Sequence, residues 1–233
     1  MYYTFKDGDC SASCIYDRYT TDEQKGVSRV CLGGTYPSKH IHEYFERMHD
    51  NAIRMFKGIG IKNGVLMLSG FYENGEFYVY DTRFRLQGEA PHLLMKAVHG
   101  FDQREMLLQY ALTGSEGNIE LGREDDAFLR GKWAATLWFL LKQGTIKTIE
   151  GLENINKDRR VVANIQRFVQ GDEVKKAWVG TEKQVLARLY LVCESKQELA
   201  TTLKEYMEKV KVYDTKNNLM VLTGFDVDKA LEL

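Results

Sequence analysis

Between Glu76 and Glu89 the chain sets an aspartate and two arginines at alternate positions, Asp81, Arg83 and Arg85, and follows them with Gln87 and Gly88. In an extended strand alternate side chains point to one face. Phe77, Val79, Asp81, Arg83 and Arg85 would then share a face, and Tyr78, Tyr80, Thr82, Phe84 and Leu86 would share the other, which reads as core. Charges at the end of a buried strand are costly unless they pair or bind something. Two chemistries follow. Asp81 and an arginine could neutralise each other at a solvated sheet edge. Alternatively the group is an anion site: the carboxylate holds a divalent metal against phosphate oxygens, and an arginine offsets charge that develops in transfer. Gly88 would let a substrate approach the backbone closely. The same aromatic and arginine run could stack single-stranded RNA, but a formal net charge of -1 and the lack of any basic cluster weigh against nucleic acid.

The elements around this segment are legible from turns and periodicity. The run 65–72 is apolar apart from Ser69, and Asn74-Gly75 joins it to 77–86 as a hairpin, so the pair is expected to be central in a sheet. Asp7-Gly8 predicts a hairpin between 2–5 and 11–16, and the polar, glycine-containing stretch 17–34 reads as a loop. Ile41, Tyr44, Phe45, Met48, Ala52, Met55 and Phe56 follow helical spacing after Pro37-Ser38, and Gly58 and Gly60 stop that helix. A second helix is expected over 101–113, with Asp102 and Glu105 as a capping box and Gly114 as its stop. After Gly117 short strands dominate, over 133–141, 145–149, 161–169 and 185–193. Ser195 and Glu198 then cap a helix carrying Leu199, Leu203, Tyr206, Met207 and Val210, and a last strand runs from Val212 to Leu222. The fold class is α+β in two units, 1–117 and 118–233.

Other constellations are weaker. Asp17-Arg18, by its residues alone, reads as an ordinary surface ion pair. His40 and His42 are two apart and do not share a helical face. His92 and His99 flank the loop after Gly88, where they could touch substrate or simply be solvated. The glycines of 58–64 follow a helix, where a dinucleotide fingerprint must follow a strand. Cys10 and Cys14 have no second pair, so the four cysteines read as free thiols of a reducing, cytoplasmic compartment. No apolar run is long enough to span a bilayer. The chain opens directly into strand-like sequence, which fits a start in mid-sheet or a piece of a longer protein.

The run GVLMLSGFYENGEFYVYDTRFRLQGE, 64–89, resembles the metal-and-substrate strands of ATP-grasp ligases such as biotin carboxylase, the carbamoyl phosphate synthase large chain and the amino-acid ligases. In that family a hairpin carries an acidic metal ligand on each strand, and the second strand continues through an asparagine to an arginine and a glycine-containing loop. Tyr36-Pro37-Ser38 and the flanking helices fit the same pattern. Gly144-Thr145-Ile146, Gly151 and Gln170-Gly171-Asp172 resemble the β-rich closing domain of such enzymes. The resemblance implies the C-terminal half of an ATP-grasp domain, an antiparallel sheet with flanking helices, followed by a small β-rich α+β domain. It implies a carboxylate–amine or carboxylate–ammonia ligase in which ATP forms an acyl phosphate. Asp81 would hold Mg2+, Arg85 would be catalytic, Arg83, Gln87 and Gly88 would line the substrate site, and Asp17 and Arg18 would lie near the nucleotide. Met67 stands where the first metal-binding glutamate is expected, and Arg83 stands at the asparagine position. The family's phosphate-binding lysines, glycine-rich loop and adenine hinge all precede the matched region. The expected partner is therefore a missing N-terminal half or a separate chain, with little ATP binding by these residues alone. The alternative is a degenerate accessory or assembly module without catalysis.

Overall fold

The computed structural model of the chain describes residues 1–21, 29–222 and 224–232. In chain order the elements are β1 (Tyr2–Lys6), β2 (Asp9–Cys14), β3 (Asp17–Thr20), β4 (Cys31–Tyr36), α1 (Ile41–Tyr44), a π-helical turn (Phe45–His49), α2 (Asp50–Gly58), β5 (Gly64–Glu73), β6 (Glu76–Arg83), α3 (His92–His99), α4 (Gln103–Thr113) and α5 (Leu121–Glu124). They continue with β7 (Trp133–Leu141), β8 (Gly144–Glu150), α6 (Leu152–Ile155), β9 (Val161–Gln166), β10 (Glu173–Val174), β11 (Val185–Cys193), α7 (Lys196–Lys209), β12 (Lys211–Asp214), β13 (Val221–Leu222) and α8 (Val227–Leu231). No helix among the described residues is long and apolar enough to cross a membrane.

Two compact units result: 1–16 with 36–132, and 17–35 with 133–233. This differs from the division after residue 117 expected from composition, because 118–132 belong with the first unit and a stretch expected as a loop belongs with the second. Within 17–34 the chain makes β3 and the start of β4, paired from Asp17↔Thr35 to Thr20↔Cys31. The rest of the expected loop, 22–28, lies outside the described residues.

The first unit is built on a four-stranded antiparallel sheet in the order β2-β1-β5-β6. Both expected hairpins form. Asp7 and Gly8 sit at φ 52° and 92°, and Asn74 and Gly75 at 52° and 82°, the left-handed pair that a two-residue turn demands. β6 is the edge strand, not a central one, which corrects the expectation drawn from the apolar character of its partner β5. The apolar stripe of the first helical segment packs on one face of the sheet. Ile41, Tyr44, Ala52 and Phe56 are buried with Tyr3, Phe5, Leu66 and Leu68. Met55, expected in that stripe, is 47% exposed. The helix ends at Gly58, and Gly60 turns it off at φ 78°.

The capping signals are present with one change. Asp102 accepts from the Arg104 N–H at 2.9 Å, but Glu105 pairs with Lys96 at 2.8 Å and does not close a reciprocal box. Gly114 ends α4 at φ 76°. In the second unit the sheet order is β3-β4-β7-β11-β9, with β13 also pairing with β7. Its core joins β7 and β11 to Leu199, Leu203 and Tyr206 of α7. Ser195 caps α7 by accepting from the Glu198 N–H at 3.1 Å. A separate antiparallel sheet, β10-β8-β12, completes this unit. The expected last strand is broken into β12 and β13, and α8 follows it.

Candidate functional site

The hairpin β5–β6 carries a bulge that sets which residues meet. Met67 pairs with Arg83, Leu68 with Thr82 and Ser69 with Asp81, but the next residue of β5, Gly70, pairs with Val79, so Tyr80 is an extra residue on β6. Beyond the bulge, Tyr72 and Phe77 pair and lie on the helix-covered face, where Phe77 meets Tyr44 at 5.4 Å and Tyr72 stacks on His40 at 3.9 Å. Phe71, one residue away, therefore lies on the opposite face, with Ser69 two residues before it. Directly opposed residues share a face. Asp81 thus joins Ser69, Phe71 and Tyr78, not Phe77 and Val79 as strict alternation predicts.

Gly70 makes the bulge possible. A Cβ there would stand 2.8 Å from the Tyr78 carbonyl oxygen, which is backbone and cannot swing away. Three side chains expected to be core are exposed: Tyr78 is 54%, Tyr80 62% and Phe84 58% accessible. Phe71 is 64% exposed and stacks on Tyr80, ring centroids 4.9 Å apart and planes 29° from parallel. Tyr78 shares the face of Asp81, whereas Phe84, just beyond β6, lies 6.5 Å from Phe5 on the helix-covered side.

Asp81 and Arg83 form the mutual ion pair, Nε to Oδ2 at 2.6 Å, with about a quarter of the aspartate side chain and half of the arginine exposed. Arg85 is exposed, and its Nη1 donates to the Leu86 carbonyl at 2.8 Å. Gln87 is buried, and its amide donates to the Tyr16 hydroxyl. Tyr16 in turn donates to Glu89 Oε2 at 3.2 Å and stacks on Tyr36 at 4.5 Å. These contacts fix the loop that follows Arg85. Gly88 is exposed, and a Cβ on it would meet nothing within 4 Å. The fold itself therefore does not require glycine at that position.

Asp17 and Arg18 belong to β3 of the second unit's sheet, not to the unit that carries the hairpin. His92 and His99 are not loop residues: they open and close α3 and are buried. His99 Nδ1 lies 3.2 Å from Asp125 Oδ1, and its Nε2 lies 2.9 Å from the Asp126 carbonyl. Ser13 and Ser11 donate to Asp125, not to His99, so the group ties β2 to the residues after α5 and offers no activated nucleophile. His40 and His42 pack on Tyr72 and Phe128. The four cysteines are thiols, and Cys14, Cys31 and Cys193 are buried.

No family model matches this sequence, and no curated protein does. The structure, however, superposes on solved enzymes. Phosphoribosylglycinamide synthetase from Anaerococcus prevotii matches with a TM-score of 0.76 at 14% identity, over 92% of this chain and 52% of that one. L-amino acid ligase from Bacillus licheniformis matches at 0.73 and 16%, over 92% and 53%. This chain has part of the ATP-grasp fold. The biotin carboxylase domain of Hydrogenobacter thermophilus 2-oxoglutarate carboxylase, solved with MgADP, ADP and bicarbonate, matches at 0.68 and 12%, over 95% of this chain and 46% of that domain. The chain spans about half the length of each of these structures.

Within this partial ATP-grasp fold the donors for a metal are few. Two ligands on adjacent strands share an ion most readily from opposed positions, and the residue opposed to Asp81 is Ser69, while Met67 faces Arg83. Among the described residues no group of three or more histidine, cysteine, aspartate or glutamate side chains could hold a metal. One carboxylate, one hydroxyl and an arginine already on the carboxylate do not fit a resident metal centre. A single carboxylate does suit magnesium that arrives on a nucleotide's phosphates, since that ion keeps several waters and needs only one or two carboxylates. Ser69, Phe71, Tyr80 and the Tyr16–Glu89 pair were not evident as site residues from sequence. The bulge that assembles the first three leaves no mark in the alternation pattern.

Proposed function

We propose that this chain is the C-terminal part of an ATP-dependent carboxylate–amine or carboxylate–ammonia ligase. The observation that supports this most is the open β5–β6 face, where Asp81, Ser69 and the exposed Phe71–Tyr80 pair lie together in the fold of ATP-dependent ligases. The aromatic pair suits a nucleotide base, which stacks on aromatic rings. Asp81 suits magnesium carried on the phosphates, once Arg83 turns from it toward the substrate. Arg85 leads into the Gln87–Gly88 loop, where a carboxylate and its acyl phosphate would sit, and its guanidinium would offset the charge of those oxygens. The substrate carboxylate would attack the γ-phosphate of ATP, releasing ADP, and the amine would then displace phosphate from the acyl phosphate, as in carbamoyl phosphate synthase. The lysines, glycine-rich loop and hinge that hold ATP would come from the half that these residues do not include, so the isolated chain would be inactive. The thiols fit a cytoplasmic setting.

A second reading rests on a specific contact. Arg83 occupies Asp81, and a serine rather than a carboxylate opposes it, as a degenerate module that binds a partner without catalysis would show. Substrate-dependent ADP release by the complete enzyme separates the two. The ligase reading expects release that falls about 10²–10³-fold in Arg85→Ala with the fold unchanged. Near-normal turnover in that variant removes Arg85 from catalysis, and no ADP release with any carboxylate and amine favours the accessory module.

A further inference from the structure

Three times in this chain an arginine follows an aspartate by two residues and pairs with it, and one of the three pairs is built differently. Asp102 accepts the backbone N–H of Arg104 at 2.9 Å together with two of its guanidinium nitrogens. Asp158 does the same with Arg160, again at 2.9 Å for the backbone N–H, and Arg160 also donates to Thr202 Oγ1 at 2.6 Å and lies over the Tyr206 ring. Those two arginines are pinned. The Asp81–Arg83 pair shows neither the backbone contact nor a fork of hydrogen bonds, and among the described residues no other side chain pairs with either member. Across the hairpin Ser69 opposes Asp81 and Met67 opposes Arg83, so no second charge steadies the pair. Both members lie on β6, so the contact joins no two elements. Both reach solvent, where an ion pair adds little to the stability of a fold.

Asp81 therefore holds a cation that the fold can release. Magnesium carried on a nucleotide's phosphates needs one or two carboxylates. Asp81 cannot keep the guanidinium and also serve a dication, because two cations on one carboxylate repel each other. We propose that Arg83 is an exchangeable counter-ion of Asp81: nucleotide-borne magnesium displaces it, and the freed guanidinium takes the phosphoryl oxygens of the second substrate. This rests on the ligase function proposed above and adds to it a coupling between the two ligands. Arg83 stands two positions before Arg85, which the ligase reading places on the same oxygens. The planar fork of a guanidinium suits them. Until nucleotide arrives, Asp81 keeps that fork from anions.

Calorimetry on the complete ligase, whether one polypeptide or two co-purified halves, tests the exchange with Mg-ADP and inorganic phosphate as probes. Removing a competitor strengthens binding, so Arg83→Gln is expected to bind Mg-ADP about two- to five-fold more tightly than the parent. The gain should vanish in an Asp81→Asn background, and it should vanish when ADP is titrated without magnesium. Simple attraction between Arg83 and the phosphates gives the opposite sign. Unchanged or weaker Mg-ADP binding by Arg83→Gln overturns the exchange, as does a gain that persists without Asp81 or without magnesium. In the parent, saturating Mg-ADP should raise the affinity for inorganic phosphate about ten-fold, and in Arg83→Gln it should not. Equal coupling in both overturns the role of the freed guanidinium. A parent that binds no Mg-ADP removes the ligase reading and the exchange with it, whereas binding with the wrong sign in the variant removes the exchange alone.

Discussion

At the residue scale, the site is separable from the fold that carries it. Gly88 has open space where a Cβ would stand, so Gly88→Ala is expected to melt like the parent chain while lowering turnover of the complete enzyme. Unchanged turnover would show that no ligand approaches there. Arg85 is exposed and bonded only to its neighbour's carbonyl, so Arg85→Ala should likewise act on activity alone, with circular dichroism unchanged. Glu116 behaves in the opposite way, as a structural group. It is 2% exposed, its Oε1 accepts from the Gly64 N–H at 3.1 Å, and burial pushes its carboxyl up to about 7. The folded chain then holds a proton between the usual glutamate value and about 7 that the unfolded chain has lost, so stability falls as pH rises through that window. His92, whose pKa burial lowers, acts in the opposite sense on acidification, so the comparison that matters is with Glu116→Gln. The melting temperature of that variant is expected to drop less between pH 5 and pH 8 than the parent's. Equal drops would mean that Glu116 is not protonated in the fold. Residue types were legible in the sequence for Asp81, Arg85 and Gln87. Glu116 was not, because its burial depends on a contact with Gly64 across 52 residues.

At the scale of elements, local signals carried the reading and long-range ones limited it. Both left-handed hairpin turns, the Ser195 cap and the stop at Gly114 were visible, because each is decided by a few adjacent residues. The strand pair β3–β4 was missed because its polar, glycine-containing sequence is strand only by virtue of its neighbours. The placement of β6 at the edge was missed for the same kind of reason, and so was the exposure of Tyr78 and Tyr80. The bulge is the element on which the site depends, and Gly70 is its weak point. A methyl group 2.8 Å from the Tyr78 carbonyl oxygen forces backbone apart, so Gly70→Ala should destabilise the first unit by about 1–3 kcal/mol. Gly58→Ala, at the end of α2 with nothing near its Cβ, is the control and should be neutral or slightly stabilising. Urea unfolding measures both, and a Gly70→Ala midpoint equal to that of the control would show that the hairpin tolerates a regular register.

At the scale of the molecule, the sequence carried the ATP-grasp resemblance through one hairpin, its flanking helices and the glycine turns of the second unit, and the structure bears out the fold likeness over 92% of the chain at only 14–16% identity. The division into units was less legible, since β4 of the segment 17–35 pairs with β7, about a hundred residues later. The account's central claim is that these residues bear the metal and acyl-phosphate side of a ligase whose main ATP-holding groups lie elsewhere. Calorimetric titration of Mg-ATP into the 233-residue chain tests that claim most directly. The account predicts no measurable heat, because one carboxylate and an exposed aromatic pair without phosphate-binding lysines cannot hold the nucleotide. Saturable binding in the micromolar range, about -8 kcal/mol, would contradict it and would mean that these residues alone build a complete nucleotide site.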